Sequence, residues 1–163
     1  MKHGDFTGLA AEYSRNRPDY APIALDAILG MVARPKAEID AVDVGSGTGI
    51  WTRMLASAGV RTVTAVEPND DMRGQGQASP ENGSIVWLKG SGEATGLAGA
   101  SADLLSMASS FHWVDFDTGI AEFDRVLRPA GCFVALWNPR YIEANPLLVE
   151  IEAYLHTLKG GEI

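Results

Sequence analysis

The chain contains one cysteine, Cys132, in 163 residues, so no disulfide can close within it. Basic residues are also few: 13 lysines and arginines stand against 21 aspartates and glutamates, a formal net charge of −8 with a sequence pI near 4.8. That balance excludes the broad positive footprint that grips a phosphate backbone and points to a small molecule, not nucleic acid, as partner. No apolar run approaches the roughly 20 residues that cross a bilayer, so no membrane partner is expected. The start, MKHGDFTGLAAEYSRNRP, lacks the apolar centre of a secretory signal, and a reducing cytoplasm is the expected address. No set of His, Cys or carboxylates shows zinc or calcium spacing, so no metal is expected.

What is present is a chain with 46% apolar residues, long enough for one continuous core and too short for two comfortable domains. Short β-branched or apolar runs recur: IDAVDV (39 to 44), TVTAVE (62 to 67), SIVWLK (84 to 89), ADLLSMA (102 to 108) and CFVALW (132 to 137). Helix-length segments between them predict βαβ crossovers, and runs apolar on both alternations predict a parallel sheet covered on both faces. Helices are expected from Thr48 to Ala58, stopped by Gly59, and through Ile120, Phe123, Val126 and Leu127, ended by Pro129 and Gly131. Another should follow Asn145 and Pro146, with Leu147, Leu148, Ile151, Leu155 and Leu158 on one face and Gly160 at its stop. Near the N-terminus, Pro22, Ile23, Ala27, Ile28 and Met31 predict one more, preceded by the polar EYSRNRPDY. RGQGQASPENGS (73 to 84) reads as a helix end and loop.

The densest signal is AVDVGSGTGIW, residues 41 to 51. A strand ending at Val44 and turning through Gly45, Gly47 and Gly49 into a helix lays bare backbone amides beside a helix N-terminus, where a ligand can approach closely. Glu67 ends the second strand 20 positions after Gly47, the spacing at which a carboxylate reaches the two hydroxyls of a ribose. A dinucleotide loop would need a third small residue where this sequence has Ile50. Asp43, beneath the loop, would repel a pyrophosphate and favour a cationic end on the ligand.

Five ordered segments extend this pattern: VDVGSGTG, Glu67-Pro68 with Met72 one turn on, KGSGEATGLAGASADLL, SSFHWVDFD and EFDRVLRPAGCFVALWN. With them the chain resembles the class I S-adenosylmethionine-dependent methyltransferases, and within these the small-molecule branch called methyltransferase type 11. The resemblance covers nearly the whole chain, FTGLAAEYSRNRPDY included. It implies an α/β, Rossmann-like three-layer sandwich of five mainly parallel strands in the order 3-2-1-4-5, with helices on both faces. It implies one domain over 1–163, with a helical lid over 1–35 and the core over 36–163.

The resemblance also implies site roles. Gly45, Ser46, Gly47 and Gly49 would lie against the methionine part of S-adenosylmethionine, Asp43 would support its amino end, and Glu67 would bind the ribose hydroxyls with Pro68 beside it. Met72 would cover one adenine face. The acidic residue that often contacts the adenine amino group is replaced by Ser91, so Gly92, Glu93 and Ala94 are the candidate substitutes. Ser109 would lie where cofactor meets substrate, and Tyr13 would close over the cofactor.

Methyl transfer from a sulfonium is an in-line displacement that needs alignment in a dry pocket, and a base only when the acceptor holds a proton. His112 is the candidate base, with a structural imidazole as the alternative. The substrate pocket is expected from Arg17, His112, Trp113, Trp137 and Asn138, with Arg140 nearby, because ligand sites of open parallel sheets lie at the strands' C-terminal ends. The expected activity is methyl transfer to a small-molecule acceptor, with S-adenosylhomocysteine as product. A catalytically silent cofactor-binding module and a nicotinamide-dependent dehydrogenase are the alternatives, the second opposed by Ile50 and Asp43. The family's usual sixth and seventh strands are lacking here. The expectation is a C-terminally truncated chain, or a fifth-strand edge covered by a partner or a homodimer.

Overall fold

The computed structural model describes residues 8–80, 83–139 and 142–158. Five parallel strands form one sheet in the order β3-β2-β1-β4-β5: β1 Asp40–Val44, β2 Thr62–Val66, β3 Val86–Leu88, β4 Ala102–Ala108 and β5 Leu127–Leu136. Among the described residues, six α-helices accompany them: α1 Ala10–Asn16, α2 Pro22–Met31, α3 Ile50–Ser57, α4 Asp70–Gln77, α5 Phe116–Val126 and α6 Pro146–Leu158. The architecture is the expected Rossmann-like α/β fold. Among the described residues, no helix is long and apolar enough to cross a membrane.

Strand register decides which side chains meet which helices, because neighbours along a strand point to opposite faces. Ala41 pairs with Leu104, and both pack with Leu29 of α2 and with Trp51 and Leu55 of α3. One step on, Val42 pairs with Leu105, and these join Phe123 and Val126 of α5 on the other face. Two apolar layers therefore enclose the sheet, with β1 buried from Ala41 to Val44 and β4 from Ala102 to Met107. At the end of the sheet away from the glycine loop, Asp103 pairs with Arg34, whose Nε lies 2.9 Å from Oδ1, and accepts from Arg128 Nη1 at 2.7 Å and from the Asp40 amide at 2.9 Å.

Several expectations are corrected. β5 begins at Leu127, not at Cys132: Leu127 pairs with Ala102 and Cys132 with Leu104, so a bulge carrying Pro129 and Gly131 lies inside the strand, with Ala130 at φ 65°. Proline, which has no amide hydrogen, is tolerated at such a bulge on an edge strand. In α2 the inward residues are Ile28 and Leu29, whereas Ile23 and Met31 are 78% and 60% exposed. EYSRNRPDY contributes most of α1, which the sequence does not announce because only Ala10 is buried. α6 forms as expected, but of its shared apolar face only Leu148 is half-buried, while Leu147, Ile151, Leu155 and Leu158 are exposed. Gly160 lies outside the described residues.

Candidate functional site

The chain leaves β1 at Val44 and turns through three residues with positive φ: Gly45 at 67°, Gly47 at 57° and Gly49 at 85°. At Gly45 a side chain is excluded by contact as well as by conformation, since a Cβ would sit 2.6 Å from Ser110 Cβ. The loop hangs on the end of β2, where Gly45 and Ser46 amides donate to Val66 O at 2.8 and 3.2 Å. Ser110 Oγ donates to Val44 O at 2.9 Å, tying the end of β4 to the loop from the other side.

Glu67 follows β2 and faces the loop across the crevice. Its Oε2 accepts the Gly47 amide at 2.7 Å and its Oε1 accepts the Asn69 amide at 2.9 Å. Burial raises the Glu67 carboxyl above its ordinary value, against the downward pull of those amides and of the Arg73 charge. Asn69 caps α4 by accepting from Asp71 and Met72 amides, both at 3.0 Å, which turns Met72 inward.

Asp43 lies fully buried beneath the loop, on the strand face covered by α3. Thr52 Oγ1 donates to its Oδ2 at 2.5 Å, while Oδ1 has no partner. Burial pushes this carboxyl up to about 7; the Thr52 hydroxyl opposes the shift and the nearby Glu67 charge adds to it. Thr48 Oγ1 is likewise buried and unpartnered.

These groups border a cavity of about 290 Å³, near the lower end of small-molecule sites. The N-terminal segment borders it too. Tyr13 and Arg17 line it from α1, with the Arg17 guanidinium 5.4 Å above the Tyr13 ring. Burial raises the Tyr13 phenol; Arg17 opposes this, while Tyr20 and Glu67 add to it. Tyr20 packs edge-on against Trp51 and its hydroxyl lies 2.8 Å from Ser109 Oγ. Ser109 adopts φ 58°, a strained conformation for a residue with a side chain, at the point where β4 gives way to the cavity.

Of the residues expected to hold the cofactor, Tyr13, Gly45, Ser46, Gly47, Glu67, Pro68, Met72, Gly92, Glu93 and Ser109 line the cavity. Asp43, Gly49 and Ala94 are not among the lining residues. Gly49 instead makes room for Trp87, whose ring a Cβ would meet at 2.7 Å, and Ala94 closes a tight loop with Ser91 through amide bonds of 3.0 and 3.3 Å. Ser91 itself reaches the cavity, as do Tyr20, Thr48, Trp51, Asn69 and Ser110, which the sequence does not single out. A hydroxyl or indole in a strand or helix looks like any core residue until the fold aims it.

The expected substrate residues separate. Arg17 and Trp113 line the cavity; His112, Trp137 and Asn138 do not. His112 is exposed, its ring centroid 4.6 Å from that of Trp113 and its Nδ1 3.5 Å from Trp137 Nε1. Asn138 Nδ2 donates to Asp19 O at 3.2 Å, tying the end of β5 to the N-terminal segment. Arg140 lies outside the described residues.

The profile of the methyltransferase domain family matches residues 42–135, which hold the loop, Glu67 and all five strands up to Ala135. The chain belongs to this family. Its five-stranded α/β fold and its matched relatives agree with that membership. It is 37% identical over 136 residues to an uncharacterized methyltransferase of Mycobacterium tuberculosis, an alignment covering 83% of this chain and 52% of that one. It is 36% identical over 106 residues to the ubiquinone/menaquinone biosynthesis C-methyltransferase of Rubrivivax gelatinosus, covering 64% of this chain and 41% of that one. The solved structure of a type II methyltransferase assignment from Anaeromyxobacter dehalogenans superposes with a TM-score of 0.66 at 33% identity, over 89% of this chain and 57% of that one. The chain thus spans about half the length of the curated relatives it matches. Membership displaces the dehydrogenase reading of the loop.

Proposed function

We propose that the chain binds S-adenosylmethionine in this cavity and forms the donor-binding part of an enzyme that methylates a small-molecule acceptor. The observation that carries the reading is the Glu67 carboxylate bonded to the Gly47 amide at 2.7 Å, with both residues and the rest of the glycine turn at Gly45 and Ser46 in the wall of one cavity. S-adenosylmethionine supplies an electrophilic methyl group on a positively charged sulfur and leaves as S-adenosylhomocysteine.

The chain's own residues do the rest. Glu67 accepts hydrogen bonds from ribose hydroxyls, the role its position at the end of β2 suits. Gly45, Ser46 and Gly47 admit the amino-acid portion close to the backbone, and buried Asp43 places a carboxyl behind them that a cation would draw toward its ionised form. Pro68 and Met72 offer an apolar wall to the adenine. Tyr13 and Tyr20 exclude water, which strengthens every electrostatic contact inside. Alignment of the acceptor with the methyl carbon carries most of the rate, because the displacement itself needs no nucleophile from the protein. Titration calorimetry with S-adenosylhomocysteine tests the binding step: heat with micromolar affinity supports the reading, and no heat from folded protein at millimolar ligand rejects it. Transfer of a labelled methyl group to a metabolite panel tests turnover.

A further inference from the structure

We infer that Arg17 is the anchor for an acceptor that carries a carboxylate, an inference resting on the methyl-transfer reading of this cavity. Every other described arginine holds an acidic side chain or a backbone carbonyl: Arg34 and Arg128 on Asp103, for instance, and Arg53 on Thr48 O at 2.8 Å. Arg17 holds neither. It is half-buried, it lines the cavity, and its contact is the face of the Tyr13 ring. A cation over a ring face spends none of its N–H donors on an acceptor atom, so they can form the paired bonds that match a carboxylate.

Among the described residues, no acidic side chain of the cavity wall pairs with it. The Glu67 carboxylate is taken by two backbone amides, and Glu93 accepts the Asp115 amide at 2.9 Å. In a chain of net charge −8, an arginine without an acidic neighbour inside a binding cavity is a selective feature, because most cations here are already neutralised. Its place favours the acceptor over the donor's own carboxylate. Arg17 borders the cavity beside Tyr13, whereas the guanidinium whose charge acts on Glu67 is that of Arg73. Arg17 follows α1 in the stretch of chain that runs from Tyr13 to Tyr20, and the Tyr20 hydroxyl lies 2.8 Å from Ser109 Oγ at the end of β4. An acidic acceptor would enter there, steered by the Arg17 charge.

The test uses the full chain in two stages. Titration with S-adenosylhomocysteine comes first; absence of binding to the wild-type chain would reject the donor reading itself. The loaded protein is then titrated with malonate, succinate, benzoate and their uncharged amides. The expected result is at least one carboxylate binding tenfold or more tightly than its amide, with that preference lost in Arg17→Gln and partly kept in Arg17→Lys. The affinity for S-adenosylhomocysteine should stay within about twofold in both variants. Equal binding of acids and amides by the wild type overturns the inference, and so does a tenfold loss of S-adenosylhomocysteine affinity in Arg17→Gln, which would put the guanidinium on the donor. Should Arg17→Gln not fold by circular dichroism, the wild-type preference and Arg17→Lys decide.

Discussion

Glu67 Oε2 lies 2.7 Å from the amide nitrogen of Gly47, and through that bond the residue after the second strand holds the glycine loop in place. The loop is thus pre-shaped by the same carboxylate that would meet the ribose, so loop geometry and ligand contact are lost together if the side chain is removed.

Glu67→Ala should weaken S-adenosylhomocysteine binding by about 1–3 kcal/mol, the range for a hydrogen bond to a charged acceptor. Calorimetry at fixed salt measures it, and an unchanged affinity would reject the assignment.

Asp43 predicts a pH dependence of the ligand-free protein. Its folded-state pKa, about 7, lies above its ordinary 3.8. Between these values the folded chain keeps the proton and the unfolded chain has lost it, so stability falls as pH rises. The contribution is fully present below about pH 4 and gone above about pH 7. Urea unfolding of wild type and Asp43→Asn at half-unit steps should show the wild type losing stability relative to the variant across this window, and a constant difference would refute the shift.

Gly76→Ala tests the packing behind the loop. An alanine in a helix is ordinarily more stable than glycine by about 1 kcal/mol. At Gly76 the new Cβ would lie 2.2 Å from Trp87 Cη2, so overpacking should outweigh propensity and cost about 1–3 kcal/mol net. In a Trp87→Leu background the same change should become neutral or stabilising, as denaturant midpoints would show.

Asp103→Ala should destabilise the fold by about 2–4 kcal/mol, because it strips a buried acceptor from Arg34, Arg128 and the Asp40 amide. Its distance from the glycine loop, at the other end of the sheet, predicts little change in S-adenosylhomocysteine affinity. A parallel loss of affinity at a temperature where the variant is folded would show the two ends to be coupled.

The alternation of apolar runs with helical segments made the five strands and their parallel pairing readable, since a strand buried on both faces has a composition nothing else in a soluble chain shares. Glycines at 45, 47 and 49 and the acid 20 residues beyond Gly47 were readable for a similar reason: each is required by local backbone geometry or by a fixed span along the chain. The start of β5 was not. Pro129 and Gly131 are helix breakers wherever they occur, and only pairing of Leu127 with Ala102 turns the segment into a bulged strand. The reason for Gly49 was also hidden, because Trp87, which fills the space beside it, comes from another strand.

Sequence alone determined the class of this protein: which segments are strands, which turn is bare of side chains, and which carboxylate stands opposite it. These depend on neighbours within a few residues or on a single crossover. The tertiary structure decided which groups reach the cavity, leaving His112 and Trp137 outside it and bringing Tyr20, Thr48 and Ser91 in. It decided as well that Arg17 alone among the described arginines meets no acidic side chain or carbonyl. Such outcomes are set by contacts between elements far apart in the chain, where burial and orientation, not residue type, give a side chain its role.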